Sequence, residues 1–488
     1  MSEKPINLKR TKTVIRPDQS RVLLRPFNTG NGQRARNIIA RVMALSESEV
    51  SELLDAVAVE FSDRHQQMFD LFGGYFEDVR QFLLTDQELS EKRKHLIGSY
   101  FSSEFSLESA ALFNPSIVPH PDQSNLPSGA LRFILSLRAT GEGHISCITF
   151  RSGTIHADND IEIDPPTRYA TEPRRISNPA YEKPLFVRKL FELNLADSFT
   201  ARVMDRLGKS FVLEQLRSAL DSELKEVRGL EDAKECRSTG EKIRILAESN
   251  CEVQFLPEQD ISERTIFPTS PSQSKGIEDA RFVRFDNGDG THVYYATVTA
   301  YDGRFILSEL IETRDFLHFR FITLNGPAVQ NKGMAVFPRR INGHYAMISR
   351  QDNENIYLMY SDNIHFWYEP EVILRPTYPW EFVQLGNCGS PIETEAGWLV
   401  LSHGVGPMRK YCMGAFLLDR DDPSKVLGRL REPLLKPNDQ EREGYVPNVV
   451  YTCGALLHGD ELIIPYAMSD YASGFATVPV KEVLDAMQ

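Results

Sequence analysis

One pattern limits what this chain can fold into: a short apolar strand ending in a polar or reactive residue, repeated along its length. Residues 131–138 end in Arg138, 293–302 in Tyr301 and Asp302, 344–350 in Arg350, 398–404 close on His403, and 461–470 end in Asp470. Another strand follows each of them after a turn. The last three intervals are roughly fifty to sixty-five residues, the period of a four-stranded unit in a β-propeller. Five such units predict five blades. In that architecture the innermost strand of each blade lines a central channel, so these strand ends are expected to converge on one mouth.

Two regions break the pattern. From about residue 33 to 99 the apolar period is helical, with Ile38, Ile39, Val42 and Met43 on one face and Ser46 and Glu49 spaced as a capping box. Helical spacing returns through Leu190, Leu195, Val203, Leu216 and Leu224, which predicts an insertion at about 187–250 and explains the long gap between the first two units. Residues 113–118, 131–138 and 145–150 read as a β-meander, and 155–184, rich in Asp, Pro and Arg, as a loop. The expected fold is therefore mainly β. It has an N-terminal arm and helical module over residues 1–102 and a five-bladed β-propeller over 103–488 that carries the helical insertion.

Composition excludes several classes of partner. A net charge of −13 repels a phosphate backbone and argues against nucleic acid. No stretch approaches the apolar length of a membrane span, and residues 1–12 lack the apolar core of a signal peptide, so a cytoplasmic protein is expected. The six cysteines are scattered with no Cys-x-x-Cys pair, which argues against zinc and against a disulfide framework and predicts buried free thiols.

Glu278 and Asp279 form the sharpest local feature, in the stretch Lys275-Gly276-Ile277-Glu278-Asp279-Ala280-Arg281 before a strand-like run. In an extended segment neighbouring side chains point to opposite sides, so one carboxylate can face a pocket while the other is anchored behind it. The pair is either a catalytic acid with a structural neighbour or an acidic turn ahead of a strand. The convergent set would be Arg138, Tyr301 or Asp302, Arg350, His403 and Asp470, with Asn331 and Lys332 arriving on a turn. Each residue alone has an ordinary structural role open to it; their recurrence at one position favours a shared site. Carboxylates and guanidinium groups hold sugars, with Tyr301, Trp380 and Tyr445 as candidate aromatic faces. A Lys, Arg and His cluster binds an inorganic oxyanion through charge-assisted hydrogen bonds. Hydrolysis of a glycoside normally needs a second carboxylate, whereas phosphate carries its own negative charge. One acid beside a basic cluster thus points to phosphorolysis.

These segments resemble glycoside hydrolase family 130, the β-mannoside phosphorylases and their hydrolytic relatives. The resemblance rests on Gly276-Ile277-Glu278-Asp279-Ala280-Arg281, Thr299-Ala300-Tyr301-Asp302, Asn331-Lys332, Phe337-Pro338, Tyr360-Ser361-Asp362, Ser402-His403-Gly404-Val405 and Val446-Pro447-Asn448-Val449-Val450. It covers about 105–165 and 260–478, and Ala280 stands where the family has proline. The resemblance implies a glycosyltransferase-type phosphorylase (EC 2.4.1 class) that inverts configuration and can run toward synthesis. Asp279 would be the general acid, its proton passing through a mannose hydroxyl, and phosphate would attack from the opposite face to give α-mannose 1-phosphate. Lys332, Arg350 and His403, with Arg138 added to them, would bind phosphate; Asn114, Asp302 and Asp470 would bind sugar. The expected substrate is a β-mannoside oligosaccharide, β-1,2-linked ahead of β-1,4-linked. No cofactor or metal is implied, only inorganic phosphate as co-substrate. The helical parts could shape the groove or make a homo-oligomer interface. The rival readings are a β-mannosidase on the same scaffold and a non-catalytic glycan-binding propeller.

Overall fold

The computed structural model describes residues 6–176, 180–227, 230–270, 273–301 and 306–488. Among these residues, five antiparallel sheets of four or more strands account for the recurring pattern. The first sheet holds Ala111–Pro119, Leu131–Thr140 and Ser146–Ile155, and Thr265–Ile266 joins its far edge. The second runs Ile277–Asp286, His292–Tyr301, Ile306–Thr313 and His318–Thr323, extended by Cys251–Gln254 and Arg174–Ile176. The third holds Ala335–Val336, Tyr345–Ser349, Ile356–Ser361 and Pro370–Leu374. The fourth holds Gln384–Asn387, Gly397–Val405, Tyr411–Leu418 and Val426–Arg429. The fifth holds Val450–Tyr451, Glu461–Met468, Ala472–Pro479 and, from the other end of the chain, Lys9–Ile15.

Hydrophobic cores lie between successive sheets. Ile134 and Phe150 of the first pack with Phe282 and Val298 of the second. Phe285 and Tyr295 of the second meet Met347 and Met359 of the third, and Ile348 and Leu358 of the third meet Trp398 and Phe416 of the fourth. Leu401 and Met413 join Leu462 and Ile464, and Ile463 and Phe475 of the fifth return to Phe133 and Leu135 of the first. A strand packed on both faces has no polar side to show, which is why Gly397–Val405 is buried at every residue and reads as an apolar run from Trp398 to Leu401.

Two expectations need correction. The arm assigned with the helical module, residues 1–102, is divided: Lys9–Ile15 pairs antiparallel with Ala472–Pro479 and completes the fifth sheet. Sequence neighbours carry no sign of a pairing partner more than 450 residues away. Second, the recurring strands are not the edge strands facing the site. Arg138, Tyr301, Arg350, His403 and Asp470 all lie on, or directly after, the second strand of their sheet. The first strand is shorter in the third, fourth and fifth sheets, and only two residues long in the third and fifth.

The helical module forms as expected, with helices Gly32–Met43, Glu47–Phe61, Met68–Val79 and Glu91–Tyr100. Ser46 and Glu49 make the reciprocal capping box. The insertion contains Lys183–Glu192, Ser198–Asp205, Leu213–Glu226 and Leu230–Glu248, around a core of its own that includes Leu190, Phe199, Val203 and Leu216. All six cysteines are free thiols and five are buried. No helix among the described residues is long and apolar enough to cross a membrane.

Candidate active site

Pairing with the second strands brings the first strands' starts and the recurring strand ends to one place. Phe113 lies opposite Arg138, Ile277 opposite Ala300, and Gly386 opposite His403. The first two strands share a local irregularity: one extra residue is accommodated between Phe113 and Ser116, and one between Glu278 and Arg281. Asn114 and Asp279 sit in these bulges with φ of 49° and 54°, a conformation that Asn and Asp tolerate better than other side chains. Asn331 and Asn448, just ahead of the third and fifth first strands, repeat it with φ of 60° and 64°.

The bulge overturns the expected alternation of Glu278 and Asp279. Both carboxylates reach the same guanidinium: Arg138 Nη2 donates to Glu278 Oε1 at 2.8 Å and Nη1 to Asp279 Oδ1 at 3.4 Å. Asn114 Nδ2 donates to Asp279 Oδ1 at 2.7 Å, and Lys332 Nζ lies 3.4 Å from Glu278 Oε2. Burial alone would raise the Asp279 carboxyl. The charges of Arg138, Arg281 and Lys332 and the Asn114 hydrogen bond outweigh it and hold Asp279 well below the usual carboxylate range. Asp470 belongs to the same field. Burial and the neighbouring Asp279 and Glu278 push it up to about 6, against the lowering effect of Arg138 and Arg409. Glu278, Asp279 and Asp470 thus form a group of three carboxylates in the field of Arg138.

The other side of the site is built differently. Arg350 is 6% exposed and His403 fully buried. Glycines make room for both. A Cβ on Gly333 would lie 2.5 Å from Arg350 Nε, and one on Gly386 would collide with His403 and lie 2.6 Å from Arg350 Cδ. The two side chains therefore converge over Gly386. Arg350 Nε has no hydrogen-bond partner, nor has Oδ1 of Asn387, whose Nδ2 donates to the Gly333 carbonyl at 2.7 Å, and the His403 ring has only the Asn387 main chain beside it as a weak partner. Burial, with Arg350 and Arg281 nearby, pushes the His403 imidazole well below its usual value. A buried guanidinium donor and a buried imidazole on one wall are groups that can hydrogen-bond the oxygens of a ligand.

Tyr301 ends its strand 37% exposed beside the Gly276 turn, and Asp302 lies outside the described residues. Trp380 rests on Gly404 and Gly414, with Nε1 donating to the Arg431 carbonyl at 2.9 Å. Tyr445 meets His144 across the rim, with ring centroids 5.7 Å apart. Asn387, Arg281 and Tyr451 were missed in the sequence. Asn387 could have been found by noting an Asn or Asp ahead of each recurring strand.

The family model for β-1,4-mannooligosaccharide phosphorylases matches residues 242–488, half of the chain. The chain belongs to glycoside hydrolase family 130. Within curated relatives it is 34% identical to a 1,2-β-oligomannan phosphorylase of Thermoanaerobacter sp. (strain X514) over 216 residues, 43% of this chain and 70% of that one. It is 32% identical to a β-1,2-mannobiose phosphorylase of Listeria innocua over 231 residues, 46% of this chain and 63% of the relative. The solved Listeria innocua β-1,2-mannobiose phosphorylase, in complex with β-1,2-mannobiose, superposes with a TM-score of 0.45 at 23% identity, covering 78% of this chain and 92% of that one. The match to the family model begins at residue 242. Asn114 and Arg138 lie outside it and join the site through their contacts with Asp279.

Proposed function

We propose that this family 130 member is an inverting β-mannoside phosphorylase that cleaves β-1,2-mannooligosaccharides with inorganic phosphate to give α-mannose 1-phosphate. The observation that carries the reading is the convergence of the buried Arg350 guanidinium, whose Nε lacks a partner, and the buried His403 ring beside a carboxylate that its cationic neighbours keep ionised. The relatives' printed names support the β-1,2 linkage. The five sheets, each packed on the next and the fifth on the first, support five propeller blades around the site.

Asp279 acts as the general acid, and Arg350, His403 and Lys332 seat phosphate. An ionised Asp279 gives no proton, so its proton affinity must rise when ligands bind. A phosphate dianion beside Lys332 and Arg350 offsets the charges that keep Asp279 ionised. The balance closes without another reactant. Hydrogen phosphate forms the bond to the anomeric carbon, the glycosidic bond breaks, and one proton, equivalent to that lost by phosphate, ends on the leaving hydroxyl. Asn114 and Asp470 border the sugar, with Asp302 proposed beside them; Arg138 orients both carboxylates of the Glu278–Asp279 pair. Free thiols support a cytoplasmic setting.

Asp470, raised to about 6, is a competent proton acceptor near neutrality and favours hydrolysis as the second reading. Incubation with β-1,2- and β-1,4-mannobiose, with and without phosphate, separates the two. Mannose 1-phosphate formed only with phosphate, and faster from the β-1,2 disaccharide, is the expected outcome. Free mannose alone, at a rate indifferent to phosphate, refutes it.

A further inference from the structure

Arg281 is 2% exposed and its guanidinium makes three hydrogen bonds. Nη1 donates to the main-chain carbonyl of Asp279 at 3.1 Å, Nε to the carbonyl of Cys388 at 2.7 Å, and Nη2 to the Tyr451 hydroxyl at 2.7 Å. These acceptors belong to the first strands of the second, fourth and fifth sheets or directly follow them. Each bears on the site. Asp279 is the bulged residue with φ of 54°. Cys388 follows Asn387, whose Oδ1 is unpartnered. The Tyr451 ring meets His403 edge-on at 5.0 Å between centroids. One rigid fork therefore ties the turn that aims the carboxylate to the strand and the ring that shape the anion wall.

We propose that Arg281 is a positioning residue for the reaction: it fixes the left-handed turn at Asp279 through that residue's own carbonyl and locks its distance to the Arg350–His403 wall. The inference rests on the reading of Asp279 as the acid. Arg281 needs no contact with substrate to do this, since none of its three bonds uses the Asp279 carboxylate. Its charge also lies beside Asp279 and favours the ionised form. Lysine would offer one nitrogen in place of a planar fork and cannot hold three divergent acceptors.

The test is steady-state kinetics of Arg281→Met, Arg281→Lys and Tyr451→Phe on β-1,2-mannobiose and phosphate, with thermal midpoints measured alongside. Arg281→Met should lower kcat by about 100-fold or more, with KM for the disaccharide within about threefold, as expected of a misaimed reacting group. Added guanidinium ion should restore about tenfold of the loss, Arg281→Lys should stay near the methionine variant, and the pH limb governed by Asp279 should move upward. A kcat within about threefold of the parent overturns the inference, as does a loss that guanidinium fails to relieve or an unmoved pH limb. If Arg281→Met does not fold, Tyr451→Phe decides: about a tenfold loss of kcat at a nearly unchanged midpoint supports the role, and unchanged kcat overturns it. Asp279→Asn measured in parallel separates the two claims. An active Asp279→Asn sinks the acid reading, whereas an inert one beside a fully active Arg281→Met sinks this inference alone.

Discussion

The two sides of the site differ in how their polar groups are satisfied. Around Arg138, side chains from the first and second sheets already pair with one another, Glu278 and Asp279 with Arg138 and Asp279 with Asn114, and Glu278 pairs with Lys332 of the turn before the third sheet. Across from them, Arg350 Nε and Asn387 Oδ1 are buried without partners, whereas on the paired side Asn114 Oδ1 alone is so among the described residues. An unmet buried donor or acceptor costs about 1–3 kcal/mol, so a ligand or water that completes such a wall gains by it. The contrast teaches a division of labour. On the proposed reading the paired side serves proton transfer and sugar, and the open side receives the incoming anion. Lys332 bridges them, since its present partner is Glu278 and its place on the Asn331–Gly333 turn abuts Arg350.

That contrast can be broken from either side. The largest effect is expected from Asp279→Asn, which keeps the shape and removes the acid. Turnover should fall about a thousandfold or more while disaccharide binding, measured by calorimetry, changes little. His403→Ala and Arg350→Met should follow, each raising KM for phosphate by about 10- to 100-fold with a smaller change in KM for the sugar. Equal weakening of both substrates would remove the distinction between the two walls. Lys332→Ala, at the bridge, should give a smaller loss of the same sense.

Linkage sharpens the comparison further. Burial and the charges of Arg350 and Arg281 lower the proton affinity of His403. A phosphate dianion reverses part of that field. Calorimetric titration of phosphate near pH 6.5 in buffers of different ionisation enthalpy should therefore show net proton uptake by the complex, shared between His403 and Asp279. Binding without proton exchange would contradict it.

The smallest effect concerns stability. Asp470 titrates at about 6 in the folded protein against 3.8 for an ordinary side chain. The native state thus holds this proton more tightly than the unfolded chain. The associated stability is fully present below about pH 4 and is lost as pH rises through about 6. Asp470→Asn should stabilise the protein by about 1–2 kcal/mol at pH 8, and by less at pH 5, while weakening sugar binding. Denaturant unfolding at the two pH values reads the difference.

Legibility in the sequence followed element length. Long apolar strands such as His292–Tyr301 and Gly397–Val405 announce themselves, so their ends, Tyr301 and His403, were found. Ala335–Val336 and Val450–Tyr451 are two residues long and carry no period, so the strand that brings Tyr451 to Arg281 was missed. The relation of Glu278 to Asp279 was misread because a left-handed φ at a non-glycine residue leaves no mark in the sequence. Lys9–Ile15 was misassigned because a strand's distant partner is set by tertiary packing. The helical module was legible through its capping box and face periodicity, which are local.

Phosphate seated on the Arg350–His403 wall is proposed to attack the sugar. Reaction of β-1,2-mannobiose with fully ¹⁸O-labelled phosphate in ordinary water tests it most directly. Mass and ³¹P spectra should show α-mannose 1-phosphate retaining all of the label, one atom of it bridging carbon and phosphorus. Unlabelled free mannose released from both halves of the disaccharide, with no sugar phosphate, would mean that water is the nucleophile and that the wall serves something else.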